Sequence, residues 1–280
     1  MPVPVMRVSV VQMNPGDDKA ANIAAAERLI AASVAEDRPD LVSLPEMWTS
    51  LGGSRETRHR NAEALPAPGG TGGAAYEALR ALARRHRIFV HGGSLAEAAE
   101  GRLFNTTVVF DREGTEIARY RKRHLFDIQT PDGTGYRESA TYGHGTEIVT
   151  AALGPLTAGL SICYDIRFPE LYLALRLAGA EMIFVPSAFT LQTGKDHWEV
   201  LLRARAIETQ CWIIAAATSG RHEERGEGRF TYGHSLIADP WGQVVAMVPD
   251  GPGFATARIE PARTARIRRD MPVLSHRRLG

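Results

Sequence analysis

The sequence predicts an α/β fold in one domain: a four-layer α-β-β-α sandwich built from two pseudo-symmetric halves. Three echoes, occurring in the same order, carry that prediction. A hairpin with strands at 106–110 and 116–121 around the turn Asp111-Arg112-Glu113-Gly114 returns at 235–247 around Pro240-Trp241-Gly242. Thr107, Asp111, Gly114 and Ala118 fall in register with Ser235, Asp239, Gly242 and Ala246. Asp40 and the apolar run to Pro45 are matched by Glu181 and the apolar run to Pro186. The strand at 88–90, between a helix and the hairpin, is matched by 212–215. Three echoes in one order imply two similar halves, each a mixed sheet with helices on one side. Two half-covered sheets bury their bare faces most economically against each other.

Each element has a local reason. Residues 8–12 form a β-rich run closed by Asn14-Pro15-Gly16, a strong turn signal. Ile23, Ala26, Ile30 and Val34 recur at helical spacing. A buried strand at 41–44 stops at Pro45-Glu46, and the Gly/Pro-rich stretch 51–73 is expected to be a long, site-shaping loop. A helix through Tyr76, Leu79 and Leu82 precedes the strand at 88–90. Later, 158–162 reads as a buried strand, and Pro169 suits the first position of a helix that ends before Gly179. The domain is expected to span 5–270, with 271–280 a tail in subunit contact.

Composition narrows the function. The 280 residues can bury a large core, and 33 basic against 32 acidic residues leave a formal charge of +1. That balance argues against nucleic-acid or membrane-surface partners. The Arg-rich stretch 263–278 is the exception, read as a solvated helix end and subunit contact. Two cysteines make no disulfide framework and no zinc-like cluster, which suits a reducing compartment. Residues 1–6 lack the features of a signal peptide and no apolar run approaches a membrane span, so a cytoplasmic location is expected.

Three residues stand out chemically. Cys163 lies where a strand turns into a helix, a corner that holds a side chain rigidly and leaves backbone N–H groups free. A lone Cys is more often a small core hydrophobe, the reading that suits Cys211. Glu46 ends another buried strand, where open α/β sheets commonly place ligands. Lys122, just after a hairpin strand, would alone be a solvated charge. Together, a carboxylate made more basic by burial can take a thiol's proton, and an ammonium can favour thiolate and later an oxyanion.

The surroundings of these residues sharpen the reading. Leu44-Pro45-Glu46, the Lys122 run Tyr-Arg-Lys-Arg-His and the Cys163 run Ile-Cys-Tyr-Asp-Ile-Arg-Phe-Pro-Glu resemble the Glu-Lys-Cys motifs of the nitrilase (carbon-nitrogen hydrolase) superfamily. Pro186-Ser187-Ala188-Phe189 and Tyr232-Gly233-His234-Ser235 extend the resemblance, which runs from about residue 8 to 278. It implies the four-layer sandwich, assembly into a homodimer or larger homo-oligomer, and cleavage of a small-molecule amide with no metal or organic cofactor. It also implies that Glu138 is a second active-site carboxylate, the alternative being a loop salt bridge. Within the superfamily the sequence looks most like the deaminated glutathione amidase branch, with the ω-amidases next, both acting on the γ-amide of a 2-oxoglutarate unit; another amidase, a nitrilase, an acyltransferase and a catalytically silent binding protein of the same fold are the alternatives. The Tyr164 N–H is then an oxyanion donor. Arg167 is either a fork for a substrate carboxylate or a clamp on a helix-start acid such as Glu170. Phe189 either lines the pocket or fills the core, and His124 is expected to be structural.

Overall fold

The computed structural model describes residues 4–130, 133–224 and 226–279. Its first half runs β1 (Met6–Gln12), α1 (Lys19–Asp37), β2 (Leu41–Ser43), α2 (Arg55–Asn61), α3 (Ala74–His86) and β3 (Phe89–His91). Then come β4 (Leu95–Ala99), β5 (Arg102–Phe110) and β6 (Glu116–Arg121). Three short strands connect the halves: β7 (Asp127–Gln129), β8 (Gly135–Arg137) and β9 (Tyr142–Gly143). The second half runs β10 (Thr150–Leu153), β11 (Leu156–Leu160), α4 (Pro169–Leu177), β12 (Met182–Phe184) and α5 (Leu191–Thr209). It continues through β13 (Trp212–Ala215), β14 (Ser219–Glu224), β15 (Glu227–Tyr232), β16 (Leu236–Ala238) and β17 (Val244–Met247). β18 (Gly253–Ile259) and α6 (Pro261–Asp270) follow.

The expected pseudo-symmetry is present strand by strand. One sheet holds β18-β1-β2-β3-β5-β6, with β4 and β9 also on β5; the other holds β10-β11-β12-β13-β16-β17. Each has a parallel central trio flanked by antiparallel strands. Both hairpins turn on an aspartate. Asp111 Oδ1 accepts from the N–H groups of Glu113 and Thr115, and Asp239 Oδ1 from those of Trp241 and Gln243. Asp40 and Glu181 also correspond: the N–H of Asp40 donates to the Arg7 carbonyl and that of Glu181 to the Thr157 carbonyl.

Alternation along the strands builds four layers. Val8, Val10, Leu41, Phe89 and Val109 of the first sheet share a core with Leu160, Phe184, Ile214 and Ile237 of the second. Val11, Val42, Val90, Val108 and Phe110 point the other way, onto Ala26, Ile30, Tyr76 and Leu79 of α1 and α3. Helices α4 and α5 cover the outer face of the second sheet. The His91 ring stacks on Phe184 across the middle at 4.0 Å between centroids. Parallel strands buried on both faces must be apolar throughout, which is why they read as continuous runs.

Differences from expectation cluster where the local signal is weak. The stretch 51–73 is not loop throughout: α2 lies within it, capped by the Ser54 side chain, which accepts from the Thr57 N–H at 3.2 Å. β4, the β14–β15 hairpin and the outer strands β10 and β18 have no counterpart in the sequence reading. The Arg-rich stretch is not simply a solvated helix end, since Arg268 of α6 donates to the carbonyls of Gln210 and Ala180, each at 3.0 Å.

Gly93 sets the approach of the chain to Pro45. It has φ +57°, and a Cβ there would lie 2.0 Å from the Pro45 carbonyl oxygen, whereas Gly101, at φ +74°, has nothing within 4 Å. Both alanine variants strain the backbone; only Gly93→Ala also collides. Thermal unfolding is therefore expected to show Gly101→Ala losing about 1 kcal/mol, and Gly93→Ala losing about 2–4 kcal/mol. Equal losses would contradict the packing described.

Candidate active site

The site forms where the first sheet, the second sheet and the connecting region meet. Glu46 follows β2 and Lys122 follows β6, while Cys163 follows β11. Each lies just past a strand's carboxyl end, and the three converge on one cavity of about 510 Å³. Glu138, on a one-turn 3-10 helix after β8, closes the group.

Lys122 is the hub. Its side chain is 2% exposed, and Nζ donates to Glu46 Oε1 at 2.8 Å and to Glu138 Oε2 at 2.9 Å. Burial alone would lower its pKa, but Glu138 and then Glu46 hold the ammonium and raise it well above the ordinary lysine value. Glu46 accepts at both oxygens, from Lys122 and Asn105 Nδ2 at Oε1 and from the Ala188 N–H at Oε2, each at 2.8 Å. Glu138 is fastened by the Phe126 N–H, which donates to Oε2 at 2.7 Å, and by Asn105 Nδ2 at 3.1 Å. The ion pair of Glu138 is with Lys122, and its own loop meets it through the Phe126 N–H rather than through a salt bridge.

Cys163 sits at a strained corner. Its φ is +48°, a left-handed conformation that non-glycine residues adopt at a cost of about 1–3 kcal/mol. The corner is welded in place by Asp165, which is fully buried. Asp165 accepts from the Ile162 N–H at 2.9 Å, the Tyr120 hydroxyl at 2.7 Å and the His124 N–H at 2.9 Å. One carboxylate thus ties the cysteine's turn to the strand end that carries Lys122. The Cys163 N–H donates to the Pro186 carbonyl at 2.9 Å, whereas the Tyr164 N–H has no acceptor among the described residues. Burial first, and the Glu46 carboxylate second, push the thiol well above its usual pKa, against the pull of Lys122. The ammonium does not dominate, so the resting side chain is a thiol.

The remaining expected residues divide. Tyr164 and Phe189 line the cavity, and Phe189 also packs on Trp198 at 4.9 Å between ring centroids, serving wall and core at once. Arg167 does not line the cavity. Its guanidinium lies over the rings of Phe189 and Tyr164, at 5.4 and 5.8 Å, and reaches His197 Nδ1 at 3.3 Å; no ion pair with Glu170 forms. The cause is the turn at Cys163–Arg167, a 3-10 helix in which residues four apart point about a third of a turn away from each other. His124 is structural: Nδ1 meets Asp165 Oδ1 at 2.7 Å, and the ring stacks on Phe168. Cys211 is buried in the core.

Several residues around the cavity had no sequence reading. Asn105 bridges Glu46 and Glu138, and an Asn inside the apolar strand β5 is a usable signal, because a buried amide demands partners. Arg58, Arg137 and Arg229 line the cavity as well.

The paired halves and the cavity at their strand ends define the class of fold, the α-β-β-α sandwich of the nitrilase type. A family model described as carbon-nitrogen hydrolase matches residues 7–269, and the chain belongs to that family. It is 41% identical over 276 residues to a deaminated glutathione amidase of Synechocystis sp., covering 96% of this chain and 97% of that protein. It is 39% identical over 277 residues to the deaminated glutathione amidase of Homo sapiens, covering 97% and 82%. The crystal structure of Saccharomyces cerevisiae Nit3, a member of branch 10 of the nitrilase superfamily, superposes with a TM-score of 0.88 at 29% identity, covering 99% of this chain and 98% of that one.

The thiol's surroundings predict its reactivity. Because its pKa is raised, thiolate forms late, and alkylation of Cys163 by iodoacetamide should keep accelerating past pH 9, where an ordinary thiol of pKa about 8.5 is levelling off. Glu46→Gln removes the charge that opposes thiolate and should move the profile to lower pH; Lys122→Met should move it higher. Profiles that coincide for all three proteins would contradict the electrostatics described.

Proposed function

We propose that the protein hydrolyses a linear, non-peptide amide through a Cys163 thioester, with the γ-amide of deaminated glutathione as substrate and 2-oxoglutarate and cysteinylglycine as products. The observation that carries this reading is the meeting of Glu46, Lys122 and Cys163 at the floor of one cavity. The names of the relatives support the substrate class.

The chemistry follows from the contacts. Glu46 takes the thiol proton, and sulfur attacks the amide carbon. The oxyanion that forms accepts from Lys122 Nζ and from the uncommitted N–H of Tyr164. Glu46 delivers the proton to the amine nitrogen, the C–N bond breaks, and a thioester remains on Cys163. A water deprotonated by Glu46 attacks that thioester, the C–S bond breaks, and the proton returns to sulfur as the acid leaves. Glu138 and Asn105 orient Lys122 and Glu46, while Arg167 braces Tyr164 and Phe189 from behind. Phe189 and Tyr164 form the wall beside the acyl group.

Two further parts belong to the same reading. A second copy of the chain would cover Leu177, Val200 and Ile207, exposed on α4 and α5, and the 271–280 tail, of which Gly280 lies outside the described residues, is assigned to subunit contact. Two free buried thiols suit a reducing, cytoplasmic setting. Among the described residues no helix is long and apolar enough to cross a membrane.

The test is release of 2-oxoglutarate from deaminated glutathione and from 2-oxoglutaramate in separate assays. Deaminated glutathione is expected to have the larger kcat/KM. Cys163→Ala should abolish turnover of both, and Lys122→Met should lower kcat by about 100–1,000-fold. Preference for 2-oxoglutaramate would make the protein an ω-amidase with the same chemistry. Normal activity in Cys163→Ala would sink the mechanism.

A further inference from the structure

The cavity is larger than a small primary amide requires, and its outer part is built differently from its floor. The floor is closed by Glu46, Lys122 and Glu138, one ammonium held between two carboxylates. The mouth is made by the β14–β15 hairpin leaning on α2 and the segment before it. The Gly53 N–H donates to the Glu223 carbonyl at 2.8 Å, and Arg58 of α2 pairs with Glu224 of β14. At Gly52 a Cβ would lie 2.1 Å from the same Glu223 carbonyl, so the two segments are in close contact.

This wall brings basic groups together. His222 and Arg229 are directly opposite on the two strands of the hairpin, and Arg58 approaches from α2. Burial lowers the His222 pKa; Glu224 opposes that, while Arg229 and Arg58 add to it. The ring is therefore neutral near pH 7, and the positive charge rests on the arginines. Arg58 spends one terminal nitrogen on Glu224, and Arg229 one on Glu227, which is 70% exposed and so weakly held. Arg229 Nε is buried without a hydrogen-bond partner among the described residues. Its guanidinium lies over the Tyr136 ring at 5.3 Å, and the neighbouring Arg137 is exposed at the same mouth. Each arginine keeps donors beyond its one glutamate contact, and an arginine fork with donors to spare matches a carboxylate.

We infer that Arg229 and Arg58 form a second subsite, at the mouth of the cavity, that binds the terminal carboxylate of the leaving amine. This deepens the proposed function and rests on it: the acyl group lies at Cys163, and the departing amine, a short peptide ending in a free carboxylate, extends outward to the hairpin. Discrimination between a peptide-like amine and ammonia then resides in the β14–β15 wall rather than in the Glu46, Lys122 and Cys163 cluster.

The experiment compares deaminated glutathione with its analogue ending in glycinamide, so that only the distal charge differs. The wild type should favour the free acid at least tenfold in kcat/KM. Arg229→Gln should reduce that ratio by about tenfold, through KM, and Arg229→Lys by less. An equal preference in the wild type, or an unchanged ratio in Arg229→Gln, overturns the subsite. A binding measurement separates this outcome from failure of the proposed reaction. Cysteinylglycine and cysteinylglycinamide are titrated by calorimetry into Cys163→Ala, with and without Arg229→Gln. Tighter binding of the acid, lost in Arg229→Gln, supports the subsite even if neither amide is cleaved. Equal affinities, or no binding of either, overturn it.

Discussion

A lysine ammonium buried between two carboxylates is the constraint around which the site is arranged. Moving one charge from water into an interior is costly, and the cost is offset only if partners are placed within hydrogen-bond distance. Lys122 has Glu46 and Glu138 at 2.8 and 2.9 Å, and both carboxylates are themselves held by Asn105. Removing the ammonium would leave two buried negative charges facing each other, a loss of about 3–5 kcal/mol by analogy with other buried pairs. The cluster is therefore rigid because it is expensive. That rigidity gives Glu46 a defined position beside the thiol.

The two halves contribute unequally to this arrangement. By the register of the sheets, Val8 corresponds to Ala158 and Leu41 to Met182, so the corner bearing Cys163 has its counterpart near Met13. Glu46 likewise corresponds to Ser187. One half thus supplies the carboxylate and ammonium, the other supplies sulfur, and the interface between the sheets fixes the distance between them. Asp165 carries that relation locally, since it grips the Cys163 turn and the end of β6 together. A shift of one sheet over the other would misalign the thiol and the Glu46 carboxylate without altering either side chain.

Legibility in the sequence followed the range of the interactions. The hairpin aspartates Asp111 and Asp239, whose side chains bond their own turns, were visible because their causes lie within four residues. The corner at Cys163 was visible for the same reason. β18 pairs with β1 across most of the chain, and nothing local announces such a partner. The helix α2 was hidden because Arg55–Asn61 carries no apolar stripe, so Arg58 went unread with it. Arg167 reads in sequence as a fork for a substrate carboxylate or a clamp on a helix-start acid, and the 3-10 turn instead carries it over the rings of Tyr164 and Phe189. Asn105 and Arg229 gain their roles only from neighbours distant in sequence.

In the proposed function, acyl transfer passes through sulfur on Cys163 with Glu46 as the base. Rapid acid quenching during turnover of deaminated glutathione, followed by mass spectrometry of the intact protein and of its Cys163 peptide, tests it directly. The expected result is an adduct of one 2-oxoglutaryl group on Cys163 that is lost with hydroxylamine and never forms in Cys163→Ala. Steady release of 2-oxoglutarate with no such adduct at any quench time, while Cys163→Ala remains active, would contradict it.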